Sequence, residues 1–174
     1  FGDLKDKKHA DLIKTFRRLL EDVITQDWSL HLAGSAGEGD KDYIEELKKL
    51  AKGLPVEFYP NLNYGDLIKL YGEASIYWHA SGFKEEDPVK MEHFGIAIVE
   101  AMAGGSVPVV VNRGGLKEIV TSGKDGFLWD DLGQLKQLTT DLIKDTNLLQ
   151  KMSKQAVKSS KDLTRISLYE TFFS

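Results

Sequence analysis

Two glutamates, Glu92 and Glu100, flank a glycine, Gly95, in the run Glu92-His93-Phe94-Gly95-Ile96-Ala97-Ile98-Val99-Glu100-Ala101-Met102-Ala103-Gly104-Gly105-Ser106-Val107-Pro108-Val109-Val110-Val111. Apolar spacing from Phe94 to Ala103 predicts a helix, so Glu92 falls just before it and Glu100 about a turn and a half inside it. Carboxylates so placed can accept hydrogen bonds from two hydroxylated parts of one extended ligand, such as a hexose and a ribose. Gly95 lets a ligand approach the backbone closely, and the first N–H groups of the helix offer partial positive charge to a sugar phosphate. The alternative is structural: a glutamate near a helix start is favoured by the macrodipole alone, and Ile96, Val99 and Met102 then serve as core.

Other candidates are weaker. Gly34-Ser35-Ala36-Gly37-Glu38-Gly39 joins a strand to a helix, as a dinucleotide fingerprint does, but its glycines fall at positions one, four and six where that motif needs one, three and six. The segment therefore reads as a flexible strand-to-helix loop. Gly114 and Gly115 follow a buried strand, where they suit a phosphate-adjacent loop or a plain turn. Asp40, Asp42, Glu45 and Glu46 read as a helix start and solvated face rather than a metal site. His79 and His93 lie near the glutamates, although single histidines more often pack or hydrogen-bond than catalyse.

These residues need a scaffold, and the periodicity supplies one. Helical spacing runs over Lys7–Gln26, Asp40–Lys52, Tyr64–Glu73, Leu116–Thr121, Leu132–Lys144, Asn147–Ser160 and Arg165–Phe173, with Asp131 and Thr146 as N-caps. Strand-like runs cover Trp28–Ala33, Pro55–Tyr59, Ala74–His79, Val107–Val111 and Phe127–Trp129. Strands separated by helices require crossover connections, which implies a doubly wound, mostly parallel, Rossmann-like α/β sheet with helices on both faces and a helical tail over 161–174. Ligands bind such sheets at the carboxyl ends of the strands, here after Ala33, His79 and Val111. Ser81–Glu92 reads as a polar functional or mobile loop. Because this architecture opens on a strand and the first element here is a helix, a first strand is expected upstream or reduced to Phe1.

Length and composition set the outer limits. The 174 residues suffice for one domain, and 41% hydrophobic with 29% charged residues is ordinary for a soluble globular protein. With 23 basic against 27 acidic residues the net charge is −4, which implies no nucleic-acid or membrane field. The absence of cysteine rules out disulfides and thiolate chemistry within this chain and fits a reducing compartment, so a cytoplasmic location is expected, membrane-peripheral at most in a longer protein.

Glu92, Phe94, Gly95, Glu100, Ala101, Met102, Ala103, Gly105, Pro108, Val109, Gly114, Gly115, Glu118, Ile119 and Val120 together resemble the signature block of glycosyltransferase family 4. Lys7–Phe16 is similar to that family's lysine-containing first helix, Trp28–Gly34 to its Leu-x-Gly strand end, and Asn147–Val157 to its helical tail. The resemblance implies the C-terminal, donor-binding half of a two-domain GT-B enzyme that moves a sugar from a nucleoside-diphosphate sugar, UDP- or GDP-linked, to an acceptor hydroxyl with retention of configuration. It implies that Glu100 holds the ribose and that Glu92 and the backbone of Phe94, Gly95 and Ile96 contact the donor sugar. Lys7, with Lys8 as the rival, is implied to neutralise the diphosphate. No obligatory metal or cofactor follows, and the acceptor, whether glycan, lipid or small molecule, is expected to bind an N-terminal domain outside this chain, leaving the chain alone inactive.

Two departures stand out. The arginine with which the family pairs its lysine, at the end of the first strand, is expected to fall before Phe1 or to be absent, and Gly82–Lys90 is longer than the family's usual link. Rival readings are a non-catalytic nucleotide-sugar-binding module, another GT-B enzyme such as a sugar-nucleotide epimerase or a phosphorylase, and a dinucleotide oxidoreductase.

Overall fold

The computed structural model describes residues 8–22, 27–85 and 95–173, from 165 onward by backbone alone. In chain order the elements are α1 (His9–Asp22), β1 (Leu30–Gly34), α2 (Lys41–Leu50), β2 (Val56–Pro60), α3 (Tyr64–Glu73), β3 (Ile76–His79), α4 (Ile96–Gly104), β4 (Val107–Val111), α5 (Leu116–Ile119), β5 (Phe127–Trp129), α6 (Leu132–Lys144) and α7 (Thr146–Phe173). Every strand pairing is parallel, as helical crossovers require. Among the described residues, however, the strands form two sheets rather than one, β1-β2 and β3-β4-β5.

The larger sheet is organised by β4, all five residues of which are buried. A strand covered on both faces must be apolar throughout, and Val107-Pro108-Val109-Val110-Val111 meets that demand. Proline is unusual in a central strand because it has no N–H. Here the Val107 N–H donates to the Ser75 carbonyl on the β3 side (2.9 Å), so alternation turns the Pro108 nitrogen toward β5, whose ladder begins one residue later at Val109↔Phe127. Around β4 one apolar cluster joins Leu12 of α1, Ile98 and Met102 of α4, Leu135 and Leu142 of α6, and Met152 and Ala156 of α7.

The smaller sheet has its own cluster, Ile13, Leu32, Leu47 and Ala51, with α1 and α2 on one face. Helix α1 spans the junction. Its Phe16 and Leu19 pack against Leu30, Val56, Trp78 and Ile143, and the Phe16 and Trp78 rings meet edge-on at 6.4 Å. On its other side, Arg17 donates to the carbonyl of Leu50 at the C-terminus of α2 (2.6 Å), where a cation also meets the negative end of the helix dipole.

Four local expectations change. The segment Gly34–Gly37 is held rather than flexible: Asn61, with φ +59, accepts from the Ala36 N–H (2.8 Å) and donates to its carbonyl (2.9 Å), while Asp40 accepts from the Gly37 N–H (2.7 Å). The N-cap of α7 is Asp145, whose carboxylate accepts from the Leu148 N–H (2.9 Å), and Thr146 is already helical. The tail is one helix instead of two. No glycine or proline interrupts 146–173, and Ser159 and Ser160, just before the break expected at 161–164, are satisfied by Asp125 (2.7 Å) and by the Val157 carbonyl (2.8 Å). Finally, the start of the loop taken as polar is core: Ser81 and Phe83 are buried, and Phe83 packs on Trp129 with centroids 5.1 Å apart. Residues 86–92 of that loop lie outside the described residues.

Phe83 therefore anchors the loop to the sheet. Phe83→Ala is expected to cost about 3 kcal/mol, read as a lower urea midpoint with an unchanged denaturant slope.

Candidate functional site

The site is built outward from α4. Its sequence, Ile-Ala-Ile-Val-Glu-Ala-Met-Ala-Gly, is apolar almost all round, so both ends must be fixed by something other than polarity. Gly95 starts it at φ +55, left-handed backbone that favours glycine, and a Cβ there would lie 2.2 Å from Cδ1 of Ile119, so that side chain would have to shift. Gly105 ends it at φ +96, its N–H donating back to Met102 (3.0 Å). Between them Ile98, Ala101 and Met102 are completely buried on β4 and α7.

The opposite side of the helix carries Ile96 and Glu100, one turn apart. Ile96 is 65% exposed, contrary to its reading as core, because the buried stripe passes through positions 98, 101 and 102 instead. Glu100 is half-buried, and the hydroxyl of Tyr64 donates to its Oε1 at 3.0 Å. Tyr64 reaches it because α3 crosses α4 closely. A Cβ on Gly104 would meet the Tyr71 carbonyl at 3.0 Å, and the Ser106 hydroxyl lies within hydrogen-bond distance of the Tyr71 and Ala74 carbonyls (2.9 and 2.8 Å). Asn63 sets the start of α3, its side chain accepting from the Asp66 N–H (3.0 Å).

Glu100 is the local negative centre. Its hydrogen bond and charge hold the Tyr64 phenol above the usual tyrosine range. Burial, followed by the charge of Glu100, pushes Tyr71 up to about 12. Tyr71 in turn meets Tyr77 edge-on at 5.7 Å, and Tyr77 lies 6.3 Å from the buried ring of His79, so an aromatic row backs the carboxylate.

The structure brings several expected residues together. Gly114 (φ +56) and Gly115 lead into α5, whose Leu116 and Ile119 are the side chains nearest Gly95, so the two glycine turns stand against each other across those side chains. Exposed Arg113 begins the same loop. Lys7, Glu92, Phe94 and His93 lie outside the described residues. Lys8 is described, with φ +58, and its carbonyl accepts from Asp11 and Leu12 (3.0 and 3.1 Å) to open α1. Asp40 caps Gly37 and Glu45 pairs with Lys48 (2.8 Å), as a helix start and solvated face would. A small open depression of about 30 Å³ lined in part by His9, Ala33, Gly34 and Pro60 lies at the carboxyl ends of β1 and β2, apart from Glu100. Sequence reasoning overlooked Tyr64. The one available signal was the Asn63 cap ahead of a 64/68/71 stripe.

Gly95→Ala places a side chain in left-handed backbone and against Ile119. The expected loss is about 1–3 kcal/mol in chemical denaturation, with Gly114→Ala, whose turn is exposed, costing less.

Comparison with known proteins gives the arrangement its context. Residues 2–159 match the family model described as Glycosyl transferases group 1. A GDP-Man:Man(3)GlcNAc(2)-PP-Dol alpha-1,2-mannosyltransferase of Xenopus tropicalis is 36% identical over 136 residues, 73% of this chain and 26% of that protein. The chain thus spans about a quarter of the length of the curated relatives it matches. Among solved structures, the C-terminal domain of a glycosyl transferase group 1 family protein, LpcC, of Francisella tularensis superposes with a TM-score of 0.77 at 22% identity, covering 92% of this chain and 80% of that one. Anabaena Alr3699/HepE in complex with UDP gives 0.73 at 26% identity over 98% of this chain and 47% of that one. Parallel strands flanked by helices, a glycine-started α4 and a match running almost end to end have one reading: this chain belongs to the glycosyl transferases group 1 family.

Proposed function

We propose that this chain is the donor-nucleotide half of a retaining glycosyltransferase of family 4, working with an acceptor-binding domain carried by other residues of a longer protein. The observation that carries the reading is Glu100, a carboxylate held near the carboxyl end of β3, one turn along a helix that a left-handed glycine opens.

In this reading Glu100 accepts hydrogen bonds from the ribose hydroxyls, and the Gly95 turn brings backbone N–H groups to the donor sugar beside Glu92 and Phe94. By the family likeness Lys7 neutralises the diphosphate, and the Gly114–Gly115 turn is a candidate phosphate-adjacent loop. Transfer breaks the bond between the anomeric carbon and the diphosphate oxygen and forms one to the acceptor oxygen, whose proton passes to the departing diphosphate. Negative charge grows on the departing diphosphate, so an ammonium and helix N–H groups directed at it stabilise the transition state more than the ground state. Chemistry awaits the partner domain, which supplies the acceptor and closes the cleft against water. A cytoplasmic site of action fits the cysteine-free sequence.

Two nucleotides compete. The mannosyltransferase relative, at 36% identity, carries GDP-Man in its name and favours a guanine nucleotide. The Anabaena structure, at 26%, holds UDP and keeps a uridine donor as the second reading.

A thermal-shift titration of the chain with GDP, UDP, ADP and NAD separates these. At about 100-fold over the dissociation constant, a bound nucleotide stabilises the fold by about 2.7 kcal/mol, a rise of roughly 5–10 °C at this size. GDP or UDP is expected to produce that rise and Glu100→Ala to abolish it. Stabilisation by NAD alone, or an equal rise in the variant, rejects the reading.

A further inference from the structure

Three large apolar side chains stand out to solvent among the described residues, Tyr64 (65%), Ile68 (39%) and Ile96 (65%). Helical spacing puts Tyr64 and Ile68 one turn apart on α3, along the stripe that continues to Tyr71 at the α4 crossing. It likewise puts Ile96 and Glu100 one turn apart on α4. The Tyr64–Glu100 hydrogen bond joins the two rows, so the exposed apolar groups flank a carboxylate.

Such a patch has a specific complement. A flat, apolar face beside two hydroxyl donors is the description of a nucleoside, whose base stacks on aromatic or apolar side chains while its ribose hydroxyls donate to a carboxylate. A carboxylate offers about four lone-pair directions on its two oxygens, and Tyr64 uses one of them. The bond also fixes a side chain that otherwise has several rotamers, which lowers the ordering cost of binding.

We infer that Tyr64 is a positioning and recognition residue for the nucleoside of the donor: its hydroxyl holds Oε1 of Glu100 in place for the ribose, and its ring, with Ile96, forms the apolar shelf on which the base lies. The inference rests on the donor-site reading of Glu100. The tyrosine suits this task because a phenol keeps its proton throughout the neutral range, and the neighbouring carboxylate opposes its ionisation further. Its place at the first turn of α3, behind the Asn63 cap, makes the shelf part of a helix rather than of a loop.

Isothermal titration with GDP and with UDP tests it on four proteins: the unmodified chain, Tyr64→Phe, Tyr64→Ala and Glu100→Ala. Tyr64→Phe, which keeps the ring, is expected to weaken the better-bound nucleotide by ~10-fold, and Tyr64→Ala by ~100-fold. The discriminating readout is the matching 2′,3′-dideoxynucleoside diphosphate, which has no ribose diol. Against that probe the Tyr64→Phe penalty disappears while the Tyr64→Ala penalty persists, a pattern that a general loosening of the fold does not give. If Tyr64→Ala does not fold, Tyr64→Phe with the two probes carries the comparison. Unchanged affinity in Tyr64→Phe, or an equal penalty for both probes, overturns the role of Tyr64 and leaves the donor site standing when Glu100→Ala still abolishes binding. Unchanged affinity in Glu100→Ala, or no binding of either nucleotide by the unmodified chain, overturns the donor site and this inference together.

Discussion

Burial of one strand governs the rest of the molecule. Val107–Val111 is covered on both faces and paired on both edges, so its neighbours are constrained to fit it. Helix α4 lies on it through Ile98, Ala101 and Met102, and the remaining side of α4 is left for Ile96 and Glu100. A helix so apolar gains its orientation from the pocket it fills, not from its own amphipathicity. The carboxylate is thus placed by the core. Gly95 and Gly105 complete the arrangement because each end of α4 turns through left-handed backbone.

The second constraint is the junction between the sheets. Among the described residues β1 and β3 share no ladder, and the junction is carried by apolar side chains of α1, Phe16 on Trp78, while a separate polar contact, Tyr64 on Glu100, ties α3 to α4. The first is apolar packing that persists without a ligand. The second commits one acceptor of a functional carboxylate, and it couples the position of α3 to the site. A nucleotide seated on Glu100 would stabilise the fold simply by binding the native state and not the unfolded chain.

Much of the scaffold was legible in the sequence, for identifiable reasons. Tyr64–Glu73, Val107–Val111, Phe127–Trp129 and Leu132–Lys144 have the expected bounds, since each combines a strong period with a glycine, asparagine or aspartate at its edge. What escaped depends on distant partners. Phe83 is buried because Trp129 awaits it, and Asn61 pins Ala36 across 25 residues. The exposure of Ile96 could not be read from a helix with apolar residues on nearly every side. Nor could the Tyr64–Glu100 bond, whose partners are 36 residues apart. Asp145 and Thr146 are adjacent cap-formers, and only geometry chooses between them. The glutamate–glycine block stood out by residue type and by family likeness together. Neither spacing nor composition alone separated a ligand seat from a dipole-favoured helix start.

The central claim is that Glu100 holds the nucleoside of a sugar donor. A crystal structure of the chain grown with GDP or UDP addresses it most directly. The account requires the ribose hydroxyl oxygens within about 2.6–3.2 Å of the Glu100 carboxylate, the base against Tyr64 and Ile96, and the diphosphate toward the Gly95 turn. A nucleotide bound elsewhere, such as the depression beside His9, with Glu100 touching Tyr64 alone, would contradict it.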